Sequence, residues 1–278
     1  MYNPKGNAKD RAVPSVQFSE AEPPAHLRGV VHRFLELRTD PLLSEDYRFH
    51  ALPDACTYAV FDQQSPEITG VTKLSASSEE LNLGRSFHFV NIRFLPGVWQ
   101  GDGVAYGQVD AAYAGDLPLI DINRQLDDLS FDDKQAVLTS FADWLVEREF
   151  VVANPVTEKI FENLDGIYSV ADMADVAALS ARQLQRTLKR TTGFAPHDFL
   201  KVLRLQQALK DEPSLIYADQ SHFIHSFKKA TGYTPRRYAK KIRCLKSTIP
   251  GGSCLVSTCH ERQYDGDEHD QNERSWMV

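Results

Sequence analysis

Long apolar runs are missing from this 278-residue chain. The longest, such as residues 57–61, are strand-sized, far short of the ~20 residues that a membrane-spanning helix needs. The opening MYNPKGNAKDR is polar and lacks the apolar stretch of a secretory leader, so no membrane partner and a cytoplasmic location are expected. Cysteine is scarce as well. Cys56, Cys244, Cys254 and Cys259 are too few and too unevenly placed for a disulfide framework, and reduced thiols are expected. With 42% hydrophobic and 25% charged residues, the rest has the composition of a soluble globular protein, and its length suits two domains of ordinary size.

Positive charge is deficient overall, at a net −7, but not everywhere. Residues 1–167 hold fourteen Lys/Arg against twenty-six Asp/Glu, a net of −12, and residues 244–278 hold three against six, a net of −3. Residues 168–243 reverse the balance, with fourteen against six, a net of +8. A polycationic block inside an acidic protein points to a polyanionic partner.

The punctuation divides the chain in the same places. Residues 47–52, 57–61, 68–74 and the alternating 87–94 predict strands, with Pro53, Gly70, Gly84 and Pro96-Gly97 between them. Residues 132–149 and 156–163 change to helical spacing, with Val137, Phe141, Leu145 and Phe150 on one face and Ile160, Phe161 and Leu164 on another. The expected fold is α+β: a β-rich part closed by helices over 1–165, an all-α part over 166–243, and a disordered tail over 244–278. Ser169-Val-Ala-Asp172 and Ser180-Ala-Arg-Gln183 both fit a capping box, so two short helices meet at a tight joint, as in a helix-turn-helix. Val170, Ala174 and Ala177 are expected on the buried side of the first, Leu184 and Leu188 on that of the second.

A repeat follows. Residues 190–196 read RTTGFAP and residues 229–235, thirty-nine further on, read KATGYTP. In each copy a glycine suits the left-handed position just past a helix end, an aromatic follows that can fold back on the last turn, and a proline sits early in the next helix. The same register pairs Leu184 with Phe223, Leu188 with Phe227, Lys189 with Lys228 and Phe199 with Tyr238. One supersecondary unit has been used twice, and residues 197–210 between the copies predict a stiff helix about 20 Å long.

The phrases LQR-x-x-K, LRLQ-x-AL, DQSHF-x-x-x-FK and TG-x-TP-x-x-Y make residues 168–243 resemble the AraC/XylS family of bacterial transcription regulators. The stretches LPDACTYAVFD and FVNIRFLPGVW resemble an uncharacterised β-rich domain that often precedes such DNA-binding domains. The resemblance implies a bacterial transcription regulator, an activator or a repressor, that binds double-stranded DNA through two helix-turn-helix units, with RNA polymerase as a partner. It also implies a homodimer and a small-molecule effector for the amino-terminal part. Recognition helices are expected near 181–192 and 220–231. Arg182, Gln185 and Arg186 are the base-reading positions of the first, since Arg pairs with guanine and Gln with adenine in the major groove. Gln220, Ser221, His222 and His225 hold the corresponding positions of the second. Lys189, Arg190, Lys228, Lys229 and Arg236 are read as phosphate contacts. One departure is that residues 209–216, LKDEPSLI, stand in register with the supporting helix 170–177 yet contain Pro213 and are shorter than the family pattern. The second unit is therefore expected to be less rigid.

Catalytic and metal signals are poor. Residues 101–107, GDGVAYG, read as a surface loop, because Asp102 would repel a phosphate. His50, Asp54 and Cys56 could be imagined as a nucleophilic set, but a thiol inside a strand is commonly structural. Phe87, Phe89, Trp99 and Tyr106 are candidates to line a ligand cavity or to pack a core. His222 with His225, and Cys254-x4-Cys259-His260 with Cys244 and His269, match no usual metal spacing. No enzyme activity, cofactor or metal is implied. Two other readings stay open on the residues alone: a small-molecule-binding protein or enzyme with a helical protein-interaction module, and a degenerate regulator with one working unit.

Overall fold

The computed structural model describes residues 15–72, 74, 76–100, 105–106, 112, 114–210, 220–234 and 237–238. They fall within one compact unit bounded by Met1 and Thr248. The architecture is α+β, β-rich at the amino end and helical at the carboxyl end. None of the described helices is long and apolar enough to cross a membrane.

Among the described residues eight strands precede the α-helices: β1 (Val16–Ala21), β2 (Val31–Thr39), β3 (Arg48–Ala51), β4 (Thr57–Asp62), β5 (Thr69–Thr72), β6 (Glu79–Asn82), β7 (His88–Phe94) and β8 (Ala105–Tyr106). Six form a sheet ordered β1-β2-β7-β4-β5-β8, antiparallel except for the β5–β8 pair, while β3 and β6 form a separate antiparallel ribbon. Part of the expected 101–107 loop is thus the edge strand β8. The rest of that loop lies outside the described residues.

The central strand β7 shows how period-two alternation feeds two cores. Val90, Ile92 and Phe94 point to a core shared with α1 (Leu119–Gln125) and α2 (Phe131–Glu147), where Phe61 meets Phe141 edge to face at 6.0 Å. Phe87 and Phe89 point the other way, stacked at 6.2 Å in a cluster with Leu37, Leu43 and Tyr47. Trp99 sits against Phe94 in the first core. The four aromatics considered as one cavity wall are therefore split: Phe87 and Phe89 line a different core from Trp99, and the side chain of Tyr106 is outside the described residues.

An ion cluster fastens α2 to the sheet. Lys134, in the first turn of α2, is only 2% exposed and donates to Glu36 Oε1 of β2 at 2.7 Å. His88 Nε2 of β7 reaches the same oxygen at 2.9 Å. Burial raises the Glu36 pKa, but the bonds from His88 and Lys134 outweigh it and hold the carboxyl down at about 2.

The remaining helices are α3 (Pro155–Glu162), α4 (Val170–Val176), α5 (Ala181–Thr192), α6 (Pro196–Lys210) and α7 (Gln220–Thr231). A second core joins Ile160, Met173, Leu184, Leu188, Phe199 and Leu203 of α3–α6 to Ala55 and Cys56 of the β-rich part. Leu164–Gly166, at the expected domain boundary, is a single 3-10 turn. The predicted strut is the most embedded helix of the group: Phe199, Leu200, Val202, Leu203, Arg204, Leu205 and Gln206 of α6 are all buried, and Gln206 Nε2 donates to Pro53 O at 2.7 Å. Its run FLKVLRLQQ is apolar around most of its circumference, so packing encloses it on several sides.

The turn at Pro96-Gly97 closes over the same helices. Thr157 Oγ1 donates to Pro96 O at 2.9 Å and Asn154 Nδ2 to Gly97 O at 3.0 Å. Gly97 has φ +77°, and a Cβ there would stand 2.8 Å from Asn154 Nδ2 and 3.1 Å from Thr192 Cγ2. Gly97→Ala combines left-handed strain with a collision, so a loss of about 2 kcal/mol or more is expected in denaturant unfolding; an unchanged midpoint would contradict this packing.

Candidate nucleic-acid interface

Local sequence sets both helices of the first unit. Ser169 caps α4 and Ser180 caps α5, each through a complete capping box. In the second box Ser180 Oγ accepts from Gln183 N at 3.3 Å and Gln183 Oε1 accepts from Ser180 N at 2.9 Å. Gln183, although exposed, is thereby occupied by the cap. The α4–α5 joint is closed by Leu179 N donating to Ala174 O at 2.9 Å, with Ala178 at φ 55°. Ala174 of α4 and Ala177 just past its end are buried as expected, Val170 is only partly buried, and Met173, unremarked in the pattern, is the most enclosed of the four.

On α5, Leu184, Leu188 and Thr192 are buried, while Arg182, Gln185, Arg186, Lys189 and Arg190 are exposed. Arg182, Gln185 and Arg186, three and four residues apart, share one face near the amino end. Among the described residues, Arg182, Gln185, Arg186 and Arg190 have no hydrogen-bonded or ionic partner. Lys189 differs. Its Nζ donates to Gly193 O at 2.9 Å, covering a carbonyl at the helix end, so a phosphate would have to draw it off that oxygen.

The helix end is built twice, down to single hydrogen bonds. Gly193 has φ 73° and Gly232 φ 75°. Thr192 Oγ1 donates to Leu188 O at 2.6 Å, and Thr231 Oγ1 to Phe227 O at 2.7 Å. Phe194 N donates to Thr192 Oγ1 at 3.2 Å, and Tyr233 N to Thr231 Oγ1 at 3.2 Å. Threonine buried at this point is therefore a cap: its hydroxyl satisfies the turn that glycine makes possible. The spelling T-G-aromatic in the sequence is the signal of that device.

On α7, Phe227 and Thr231 are buried, and Ile224, His225, Lys228 and Lys229 are exposed. The side chains of Gln220, Ser221, His222 and Phe223 lie outside the described residues, as do Arg236, Pro235, residues 211–219 with Pro213, and the whole of 244–278. The ribbon reaches this unit: the His50 ring on β3 meets Tyr233 edge to face at 5.5 Å and Tyr238 at 6.2 Å.

Cys56 is buried, and burial together with the nearby Asp54 carboxylate pushes its thiol well up, which keeps it protonated and poorly nucleophilic. Asp54 accepts from Cys56 N at 3.0 Å and bonds Tyr58 Oη; burial raises its pKa against the pull of Arg93. The His50 ring packs against Tyr233 and Tyr238. Among the described residues no group of three His, Cys, Asp or Glu is placed to hold a metal ion.

No protein-family profile and no curated protein matches the chain. Among solved structures it is similar to the crystal structure of ToxT from Vibrio cholerae O395, at 11% identity and a TM-score of 0.38, over 83% of this chain and 99% of that one. A likeness at that score fixes neither fold nor function.

Proposed function

We propose that this chain is a sequence-specific, DNA-binding transcription regulator. The observation that carries the reading is the face of α5, where Arg182, Gln185 and Arg186 stand exposed and unpartnered on a helix capped at both ends. Cations left without carboxylates in a chain of net −7 fit an external polyanion better than an internal role. In this reading α4 and α5 form a helix-turn-helix, α5 enters the major groove, and its three readers contact base edges. α7 forms the second reader, with Gln220, Ser221, His222 and His225 toward the bases. Lys189, Arg190, Lys228, Lys229 and Arg236 contact phosphates, fixing register without carrying sequence information.

Residues 166–243 then act as the DNA reader. Residues 1–165 sense a small molecule or mediate dimerisation, and RNA polymerase is the partner through which binding acts.

The test is titration of the full chain against a random duplex pool at 50 and 200 mM salt. With six to ten phosphate contacts, affinity should fall about 10³- to 10⁵-fold between the two. A chain that leaves duplex DNA free even at the lower salt is not a regulator of this kind.

A further inference from the structure

The second helix end copies the first so closely that the register of thirty-nine can be carried onto the outer faces. It sets Arg186 against His225, Lys189 against Lys228 and Arg190 against Lys229, exposed in both copies. It sets Gln185, a hydrogen-bonding reader in the proposed function, against Ile224. That isoleucine is 39% exposed, on the same outward side as His225, Lys228 and Lys229.

A branched aliphatic is costly to leave in water, and isoleucine is among the residue types most often fully enclosed. Its surroundings say what covers it. The other large apolar side chains exposed among the described residues are Leu42, Val146, Val152 and Tyr168, none of them on α7. Among the described residues Ile224 is thus an aliphatic flanked by cations with no second apolar side chain exposed on its helix, which suits a protein groove or lipid chains poorly, since those demand a continuous apolar face. It suits a polyanion that carries a single apolar spot between its charges. In duplex DNA the major-groove edge offers one such spot, the 5-methyl group of thymine.

Resting on the regulator reading, we infer that Ile224 is a specificity-determining residue that packs against a thymine methyl in the major groove. The two units then read different chemistry. α5 selects by hydrogen bonds to guanine and adenine, and α7 adds an apolar contact to its polar readers, with Lys228 and Lys229 holding the flanking phosphates.

The experiment takes the duplex that the full chain selects from a random pool and replaces each thymine in turn by deoxyuridine. This removes the methyl and leaves pairing unchanged. One such replacement should weaken the native chain about fourfold, the worth of one buried methyl-sized group, and should leave Ile224→Ala unaffected at that position. Ile224→Gln should move the preference there from thymine toward adenine. The inference is overturned if a site is selected but every deoxyuridine acts alike on native chain and Ile224→Ala. If no sequence is enriched at all, the regulator reading falls first and the methyl contact goes with it. Lys228→Ala separates the two kinds of contact, since it should weaken all sequences evenly.

Discussion

Glu36→Ala should destabilise the chain by about 3–5 kcal/mol, the cost of stranding a buried cation. Lys134 Nζ lies 2.7 Å from Glu36 Oε1 with almost none of its surface in water, so without the carboxylate it must either lose its proton or open the α2–sheet contact. Replacing both partners at once, Glu36→Leu with Lys134→Met, should recover most of the loss, because a well-packed apolar pair has no desolvation cost. Acid should reproduce part of the single-variant effect. The folded carboxyl has its pKa depressed to about 2 from 4.5, so its contribution is complete above pH 4.5 and is lost as pH falls toward 2. Denaturant midpoints at pH 7, 4 and 3 should therefore converge for native chain and Glu36→Gln as the pH drops. Curves that stay parallel would show that the cluster contributes nothing.

Arg182→Ala combined with Arg186→Ala should remove the sequence preference that α5 supplies and weaken selected-site binding by at least about thirtyfold. Each bidentate arginine–guanine pair is worth about 1–3 kcal/mol, and neither side chain has another partner to fall back on. Folding should be untouched, within about 0.5 kcal/mol, since both side chains are exposed and have no partner among the described residues. That separation distinguishes a DNA reader from a protein-interaction module. Stability retained with binding lost to one sequence but not to others is the signature of base contacts. If a selected site is bound equally well by the double variant, α5 is not the reading helix.

How much of this was legible depended on whether the cause was local. Both capping boxes, the left-handed glycines and the bounds of α5 and α7 follow from residues within four positions of one another, and each is present as the spelling predicts. Strand β2 was not singled out. Its VHRFLELRT carries His32, Arg33, Glu36 and Arg38, whose partners are distant in sequence or on neighbouring elements: Arg93 of β7 for His32, His88 of β7 and Lys134 of α2 for Glu36, Gln17 of β1 for Arg38, and Glu22 for Arg33. Helix α1 was missed because seven residues hold too little periodicity; what fixes it is Asn123, whose amide donates to Asp62 O and Pro66 O at 2.9 and 3.1 Å from a distant turn. The enclosure of α6 was hidden for the same reason, since its partners at Pro53, Ala55 and Cys56 lie some 150 residues earlier. At the candidate interface the reverse held: Ile224 has the side chain of a core residue, and the proposed thymine contact rests on its exposure, which the sequence does not announce.

The shared second core has a practical corollary for chimeras in which the β-rich and helical parts are exchanged with those of another protein. A splice at residue 166 would carry α4–α6 away from Ala55, Cys56 and the Pro53 carbonyl that Gln206 needs. The transplanted piece would then have a bare flank, prone to self-association, whatever it is fused to. A graft that keeps residues 53–58 and the Pro96-Gly97 turn with the helices retains the missing wall, so in this protein the interchangeable module is not contiguous in the chain.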